Sequence, residues 1–365
     1  MRSPLPRVEP VAIVDRERAI FSWIDLLLKD GTAIAPNTMS ANLAVRILRA
    51  AVAEGGDRQA MIAAIGLDET RLRNPFSRIS APVAIRFFKM LQTHFNDPAV
   101  HLRLGETAAM QNFSDFGFAT RLETDLGSVI DAHIHIQALR QTMIKTQFSA
   151  SGKPPYFLWE CPADRTDAYA TFVEYSVATY ARLSRQVLSE PPLLQSVHFQ
   201  HQPQFAVARY EAAFGCAVQF GMATTRMEIA GRQVFRPSPF ANKTLLEAAL
   251  ARYQRPVQWM INGKTHLALS YFYLTSELDK SPPTLDRLAA SFGMSERTLR
   301  RKLLEEGMPF CDLLDFVRTD LCRLYFIENT RSLGQIAFLL GYSELSAFTR
   351  AYKRWHGTAP SRREG

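Results

Sequence analysis

The feature that most constrains the fold is a helix-turn-helix pattern that occurs twice near the end of the chain. The first copy spans 285–303 (LDRLAASFGMSERTLRRKL) and the second spans 333–352 (LGQIAFLLGYSELSAFTRAY). Each has apolar residues at helical spacing, then a glycine, then a serine before a second amphipathic segment. Equivalent residues lie 48 positions apart up to the turn, and one position further beyond it, where Phe348 matches Leu299. A chance helix pair has no reason to repeat, so the sequence predicts two related helical units.

The second helix of the first unit is strongly basic. Leu299 and Leu303 face inward, while Arg297, Arg300 and Arg301 lie on its other sides. A short arginine-covered helix supported by another helix is the arrangement that enters the major groove of DNA. A solvated basic face on an ordinary helix pair is the alternative for this unit alone. The second copy favours DNA binding.

A long helix is predicted over 309–329, between the two units. Its apolar residues form one continuous stripe, and Arg318 and Arg323 lie on its polar side. About 18 helical residues span roughly 27 Å, which together with the turns approaches the roughly 34 Å of one DNA turn. We therefore expect one chain to contact two successive major-groove segments on one face of the duplex.

The composition is that of a basic globular protein. The 365 residues are 47% hydrophobic and carry a net charge of +8, with 14 Lys and Arg against 10 Asp and Glu within 280–365. This length allows two or three domains, and the charge favours polyanion partners. The apolar run at 20–28 is too short and too polar for a signal peptide or a membrane span. We expect a soluble cytoplasmic protein.

The four cysteines show no spacing typical of a metal site or a redox pair, which favours reduced thiols. They are Cys161, Cys216, Cys311 and Cys322. Cys311 and Cys322 are eleven residues apart on the predicted linking helix, where buried packing is the default and a redox switch is the alternative.

The region before the repeat predicts an α+β domain, with a helical start and a mixed α/β middle. A helix is predicted at 15–29, another begins at a cap on Asn37 or Thr38, and strands are predicted within 145–161 and at 195–199, 217–220 and 227–234. Pro256 should kink or end the helix that contains it. The predicted organisation is an N-terminal extension (1–35), a regulatory domain (36–255) and an all-α domain (256–365) with helix-turn-helix units at 284–307 and 332–357.

The C-terminal region resembles the DNA-binding domain of AraC/XylS-type transcriptional regulators. The resemblance rests on GMSERTLRRKLLEEG (293–307), Arg318 and IAFLLGYSELSAFTRAYKRWHGTAP (336–360). It implies a bipartite seven-helix domain whose recognition units are 293–303 and 341–353. One departure is Arg362-Arg363-Glu364 after Ser361, where the family usually has an aromatic and a basic residue.

The preceding region resembles the arabinose-binding-type regulatory domain of a subgroup that includes ornithine-utilisation regulators. The matching pieces are Arg78-Ile79, the turn at 96–98 with 102–106 after it, and VHFQHQP (197–203) leading to Tyr210. The resemblance implies control by a small molecule, not arabinose in particular. Phe235-Arg236-Pro237-Ser238-Pro239 departs from the family's apolar-Pro run at that position. His198 and His201 belong to this pattern and are expected to form hydrogen bonds within the fold.

The resemblance assigns base- and phosphate-reading positions to both units. Arginine can bond guanine in a bidentate manner, worth about 1–3 kcal/mol of discrimination per pair, so we expect the first unit to carry most base specificity. The second unit offers apolar contact with thymine methyls and backbone contacts. The predicted DNA-binding residues are Ser295, Arg297, Thr298, Arg300, Arg301, Ser343, Leu345, Ser346, Ala347, Arg350, Lys353 and Arg354. Ser295 and Ser343 are expected to cap their helices, with phosphate binding through the first-turn amides as the alternative.

Aromatic residues in the middle region are candidates for an effector pocket, with core packing as the alternative. They are Phe113, Phe116, Phe118, Tyr156, Phe157 and Trp159. No motif of a nucleotide-binding or hydrolytic enzyme occurs, and His133 and His135 should diverge on a helix rather than share a metal. Neither catalysis, a metal nor a cofactor is expected.

The sequence therefore predicts a sequence-specific regulator of transcription, and activation is the commoner mode in the resembled family. Its expected partners are double-stranded promoter DNA, RNA polymerase and a small-molecule effector of unknown identity, and a homodimer is left open. The rival interpretation is a ligand- or protein-binding module with an incidental basic C-terminus.

Overall fold

The computed structural model describes residues 36–68, 72, 77–108, 122–161, 166–187, 194–231, 233–280 and 282–360. Two large hydrophobic cores lie within these residues, one before and one after residue 255. The helix predicted at 15–29 and the candidates Phe113, Phe116 and Phe118 lie outside the described residues. The arrangement confirms the predicted order of an α+β region followed by an all-α region.

The described chain begins with a short strand rather than a helix cap. Strand β1 (Thr38–Ser40) pairs antiparallel with β2 (Arg78–Ser80). Helix α1 (Ala41–Ala53) begins only after Ser40, whose hydroxyl accepts a hydrogen bond from the Leu43 amide (3.2 Å). The prediction that Asn37 or Thr38 caps this helix was wrong, because pairing with a distant strand holds the backbone of Thr38 extended.

The first region contains further helices. Some precede the strands of the sheet along the chain, and others lie between those strands. They are α2 (Arg58–Ile65), α3 (Ala81–His94), α4 (Val100–Glu106), α5 (Leu126–Arg140), α6 (Thr166–Val187) and α7 (Val207–Phe214). Helix α6 packs against α3, α4 and α5, and its inward side is almost continuously buried. A 22-residue helix buried along most of its length is the central support of this region.

The sheet of the first region has five strands in the order β3-β4-β7-β5-β6. Neighbours pair antiparallel except β5 and β6, which are parallel and joined through α7. The strands are β3 (Lys145–Ser149), β4 (Tyr156–Glu160), β5 (Leu194–His198), β6 (Ala217–Gln219) and β7 (Thr225–Ile229). The predicted hairpin and the three later strands are confirmed, with β7 beginning earlier and ending earlier than predicted.

A buried polar cluster joins the motif residues of this region around Glu174 of α6. Glu174 and His101 are fully buried and hydrogen-bonded to each other. The Tyr210 hydroxyl donates to Glu174 Oε1 (2.8 Å), and His201 Nε2 lies 3.4 Å from the same oxygen. His198 contacts Arg226 Nε (3.0 Å). His201 Nδ1 is hydrogen-bonded to Gln202 O (2.9 Å), so the prediction of internal hydrogen bonds for both histidines is confirmed. The contacts of Glu174 join α4, α6 and α7 to the segment that follows β5.

The described residues of the second region form helices and the turns between them. Its elements are α8 (Lys243–Ile261), α9 (Thr265–Glu277), α10 (Leu285–Ser291), α11 (Glu296–Glu305), α12 (Phe310–Glu328), α13 (Leu333–Leu339) and α14 (Leu345–His356). Helix α12 is the predicted linking helix, with Leu313, Val317 and Leu321 buried in the core. No helix in the described ranges combines the length and apolarity that a membrane span requires.

Helix α8 belongs to both regions. Its first half packs Leu246 and Leu250 against Leu122 of the first region and Leu324 of α12. Its last turns place Trp259 in the second core. Pro256 lies inside this helix and does not end it, because packing on both sides of the proline outweighs the backbone hydrogen bond that it removes.

Candidate nucleic-acid interface

The turn of the first helix-turn-helix unit is closed by backbone hydrogen bonds around Gly293. This residue has φ +65°, a conformation that glycine adopts without steric cost. The amide of Met294 donates to Ala289 O (3.1 Å) and that of Gly293 to Ala290 O (3.1 Å). This is the Schellman arrangement that satisfies the last carbonyls of a helix. The predicted glycine stop is confirmed.

The second unit reproduces this turn. Gly341 has φ +74°, the amide of Tyr342 donates to Ala337 O (3.0 Å), and that of Gly341 donates to Phe338 O (2.9 Å). A Cβ atom at Gly341 would lie 3.1 Å from the Leu278 carbonyl oxygen. The donor and acceptor positions are those of the first unit plus 48, so the sequence repeat is also a repeat of backbone hydrogen bonds.

The two turns differ by one residue at the start of the second helix. In the first unit, Ser295 is the N-cap and its hydroxyl accepts from the Thr298 amide (3.2 Å). In the second unit the N-cap is Glu344, and no side chain caps the helix. The prediction that Ser343 caps α14 was wrong, because an extra residue in the turn shifts the helix start. That insertion also explains why Phe348 rather than residue 347 matches Leu299.

The predicted arginines of α11 lie together on its exposed surface. Arg300 pairs with Glu296, and Arg301 Nε lies 3.5 Å from Glu305 Oε1. Exposed pairs of this type, four residues apart on a helix, contribute only about 0.3–0.5 kcal/mol. Arg297 is exposed and makes no ion pair with any described residue. The three guanidinium groups are therefore available to a phosphate or a base edge at little cost.

The matching surface of α14 is less charged at its start and basic at its end. Leu345 is 45% exposed and Ser346 is exposed, with Ala347 partly covered. Arg350 Nη2 lies 3.7 Å from Glu344 Oε1. Arg354 donates to both carboxylate oxygens of Asp315 on α12 (2.8 and 3.1 Å), whereas Lys353 is exposed. The helix thus presents small and apolar groups first and cations afterwards.

Arg318 of α12 holds the second turn in place. Its Nε donates to Leu340 O (3.0 Å) and its Nη2 to Gly341 O (3.4 Å). Its guanidinium lies 4.2 Å from the centre of the Tyr342 ring, and burial lowers its pKa. The sequence placed Arg318 on the polar side of the helix. The structure shows it partly buried against the second unit, because three backbone and ring acceptors converge there.

Glu306 anchors the first unit, as Arg318 anchors the second. It lies just beyond α11 and accepts hydrogen bonds from the backbone amides of His266 (3.0 Å) and Leu267 (2.7 Å). These amides belong to the first turn of α9, so the carboxylate caps that helix and ties α11 to it. No local sequence pattern predicts this role, because Glu306 and its two backbone partners are about 40 residues apart.

The described aromatic candidates for effector binding belong to strand β4. Phe157 and Trp159 are buried in the core, and the Trp159 indole donates to Ser176 Oγ (2.9 Å). Tyr156 is partly exposed, with the Arg226 guanidinium 5.8 Å from its ring centre. The structure brings Phe157 and Trp159 together by stacking, with ring centres 5.5 Å apart. Tyr156 lies apart from that stack.

The cysteines of the linking helix have different surroundings. Cys311 is exposed, whereas Cys322 is buried and burial raises its pKa to about 12. The expectation of buried packing holds for Cys322 and fails for Cys311, because Cys311 occupies the first turn of α12 beyond the core. In the described part of the chain, no group of three or more His, Cys, Asp or Glu side chains is arranged to hold a metal ion.

Comparisons with known proteins match both regions. The family described as the arabinose-binding domain of AraC transcription regulators matches residues 55–238, and a helix-turn-helix domain family matches residues 288–363. The regulator VirS of Mycobacterium tuberculosis is 29% identical over 187 residues, which are 51% of this chain and 54% of that protein. The chain therefore matches about half the length of VirS.

Longer matches span most of the chain. The ornithine utilization regulator of Pseudomonas aeruginosa is 25% identical over 313 residues, or 85% of this chain and 91% of that protein. The crystal structure of the transcriptional regulator CdpR from the same species aligns with a TM-score of 0.42 and 18% identity, over 87% of this chain and 96% of that one. With one family model covering half of the chain and a second covering the paired turns, the chain belongs to the AraC family of DNA-binding transcriptional regulators.

Proposed function

We propose that this protein is a transcription activator that binds promoter DNA with both helix-turn-helix units and responds to a small-molecule effector through residues 36–255. The observation that carries the proposal is the pair of turns with matching hydrogen bonds, each followed by an exposed helix. Two such helices joined by α12 suit two successive major-groove segments.

The two exposed helices are unequal, which supports a division of labour. Helix α11 offers Arg297, Arg300 and Arg301, whose fork geometry suits guanine edges. At its start α14 offers Leu345 and Ser346, which can contact thymine methyl groups but can form few hydrogen bonds with base edges. The first unit then carries most base discrimination. The second contributes mainly backbone contacts from its basic end.

An operator scan tests this division. Preferred sites are selected from random duplexes with the full chain, and each base pair of the two half-sites is then changed in turn while affinity is measured by fluorescence anisotropy. Changes in the half-site of the first unit should weaken binding about 5- to 150-fold each, the equivalent of 1–3 kcal/mol. Those in the other half-site should weaken it less. Equal losses in both half-sites contradict the division.

Salt dependence tests DNA binding itself. Binding through several phosphates should lose orders of magnitude in affinity between about 50 and 200 mM salt. A salt-insensitive or absent interaction would favour the rival interpretation, a ligand- or protein-binding module whose basic C-terminus is incidental.

Activation requires a surface for the transcription machinery, and α13 offers one. Phe338 is 66% exposed on this helix, whereas the equivalent position of the first unit is Ala290. A phenylalanine at that exposure is a candidate anchor for a protein partner such as RNA polymerase. Phe338→Ser should abolish activation in a reporter strain and leave operator affinity unchanged, with Ala290→Ser as the matched control. Retained activation would contradict this role.

Effector control needs a path between the regions, and α8 supplies the contacts. Arg252 of α8 is buried, and its Nε lies 3.4 Å from Asp320 Oδ2 on α12. Asp320 also accepts a hydrogen bond from the Tyr271 hydroxyl of α9. A change in the tilt of α8 would therefore displace α12, the helix that joins the two units. Arg252→Met should uncouple effector response from DNA binding, measured as operator affinity with and without effector.

A further inference from the structure

The residue that follows the turn serine is a glutamate in both helix-turn-helix units. Glu296 is the first residue of α11, and Glu344, 48 positions later, directly precedes α14. Neither carboxylate caps its helix, because Ser295 caps α11 and α14 has no side-chain cap. Both glutamates are exposed, with 44% and 63% of their side chains accessible. Neither capping nor core packing therefore accounts for them.

Each glutamate lies near an arginine of the predicted DNA-contacting surface. Glu296 Oε1 accepts a hydrogen bond from Arg300 Nη2, one helical turn further along α11. In the second unit the separation between Glu344 Oε1 and Arg350 Nη2 is 3.7 Å, beyond the length of a hydrogen bond. A guanidinium group has several N–H donors, so the contact with Glu296 leaves Arg300 able to donate to a base. The first unit thus presents an acceptor and a donor side by side, and the second does so more loosely.

Glu296 occupies the part of α11 that is expected to meet base edges, because the N-terminal residues of a recognition helix contact the bases. A carboxylate near DNA is repelled by the phosphates unless it accepts a hydrogen bond from a base. In the major groove a glutamate accepts from the cytosine amino group, whereas an arginine donates to guanine. Four residues of helix rise about 6 Å, more than the roughly 3.4 Å between base pairs. The pair therefore matches a cytosine and a guanine in adjacent base pairs.

We propose that Glu296 is a specificity-determining residue of the first unit, whose carboxylate accepts a hydrogen bond from the amino group of a cytosine adjacent to the guanine that Arg300 binds. This inference rests on the proposed reading of DNA by α11 and names part of the sequence that the helix selects. Glu296 acts in two ways. It binds that cytosine, and its repulsion by phosphates weakens binding to duplexes that lack the cytosine. The looser pair of Glu344 and Arg350 selects less strongly.

Site selection from random duplexes tests the assignment on the full chain. The wild type should select a cytosine next to a guanine in one half-site, whereas Glu296→Ala should accept any base at the cytosine position and keep the guanine. Glu296→Gln should select adenine there, because a glutamine amide binds adenine N6 and N7. An unchanged preference for cytosine in Glu296→Ala overturns the proposal.

Glu305→Ala is the matched control for the loss of charge. Glu305 is an exposed carboxylate that also lies near an arginine of α11, with its Oε1 3.5 Å from Arg301 Nε. It lies at the other end of the helix, away from the expected base edges. Glu305→Ala should therefore select the same sites as the wild type. The same loss of the cytosine preference in Glu305→Ala overturns the proposal, because it would trace the preference to charge alone.

Removal of one amino group from the DNA locates the hydrogen bond. The selected cytosine is replaced by 2-pyrimidinone, which lacks the 4-amino group, and affinity is measured by fluorescence anisotropy. The wild type should lose affinity roughly 10-fold or more, as expected for a hydrogen bond to a charged group. Glu296→Ala should bind the two duplexes almost equally. Because the altered base pair is common to both proteins, equal losses overturn the proposal.

A purely structural role of Glu296, in support of the helix dipole, has a different signature. In that case Glu296→Ala would lower the melting temperature and weaken binding to every duplex alike, and this result overturns the proposal. The proposal instead expects the variant to bind a non-specific duplex at least as tightly as the wild type does. A wild-type chain that enriches no duplex contradicts the proposed function itself, whereas enrichment that does not depend on Glu296 overturns only this inference.

Discussion

The two helix-turn-helix units use the same turn and differ in almost everything attached to it. Gly293 and Gly341 have nearly equal φ angles, and the hydrogen bonds around them match one for one. The first unit then caps its recognition helix with Ser295 and covers it with arginine. The second has one more residue in the turn, no side-chain cap, and a start of Leu345 and Ser346.

The units are also anchored differently. Glu306 ties the first unit to α9 through backbone amides, and Arg318 ties the second to α12 through backbone carbonyls. The Glu306 carboxylate accepts hydrogen bonds from amides at the beginning of a helix, and the Arg318 guanidinium donates to carbonyls at the end of one. These are the backbone groups that a helix leaves unsatisfied at its two ends. The turn is therefore the part that the two units share, whereas the cap, the anchor and the exposed surface differ between them.

The largest difference is expected in DNA affinity. Replacing Arg297, Arg300 and Arg301 together by Ala should reduce operator affinity by two orders of magnitude or more, since each bidentate base contact is worth about 1–3 kcal/mol. Replacing Leu345 and Ser346 together by Ala should reduce it less than tenfold. Anisotropy titrations at one salt concentration measure both. A larger effect of the second replacement would reverse the proposed division.

The anchors are expected to matter next. Arg318→Ala and Glu306→Ala should each lower the free energy of unfolding by about 2 kcal/mol, because each leaves backbone groups without a charged partner. Hydrogen exchange should show the loss locally, at α13 and α14 for the first variant and at α9 and α11 for the second. Arg323→Ala, on the exposed side of α12, is the control. Uniform loosening of both units in either variant would contradict separate anchoring.

Substitutions at the caps are expected to change stability by smaller amounts, with a loss in the first unit and a gain in the second. Ser295→Ala should destabilise the second region by about 1 kcal/mol, the usual value for losing an N-cap. Ser343→Ala should change little, because Ser343 precedes the cap position. Glu344→Ser should stabilise the region, because it supplies the missing cap. Urea denaturation of the three variants measures these changes. A cost at Ser343 equal to that at Ser295 would contradict the observed helix start.

The smallest expected difference concerns two adjacent cations at the end of α14. Lys353→Ala should reduce the slope of log affinity against log salt by about 1, as loss of one phosphate contact does. Arg354→Ala should reduce it less, because Arg354 already pairs with Asp315. Its effect on stability should stay below about 1 kcal/mol, as for other exposed pairs. Identical slopes would show that the Asp315 pair does not restrain Arg354.

Local patterns predicted most of the elements and failed where distant backbone intervened. The spacing of Leu285 and Leu288, the glycine turns and the cap at Ser295 are properties of adjacent residues, and they were confirmed. The start of α1 was wrong because Thr38 pairs with a strand 40 residues away. Ser343 was misplaced because an inserted turn residue leaves no mark on the spacing of serine and glycine.

The candidate sites divide in the same way. The exposed arginines of α11 could be assigned from helical spacing, because a helix with two inward leucines must turn its other sides outward. The anchors Glu306 and Arg318 could not, because their backbone partners are 40 and 22 residues away in the sequence and come close only through helix packing. Phe157 and Trp159, which the sequence suggested as candidates for effector binding, are buried in the core.

The sequence by itself determined that this chain carries two copies of one DNA-binding turn, since the repeat is written in side-chain spacing and in two glycines. Only the tertiary structure decided how the copies differ, because anchors such as Glu306 and Arg318 depend on partners brought close by helix packing. The same holds for the buried Glu174 of the first region, because its partners His101 and Tyr210 lie on other helices and reach it only after the helices have packed together.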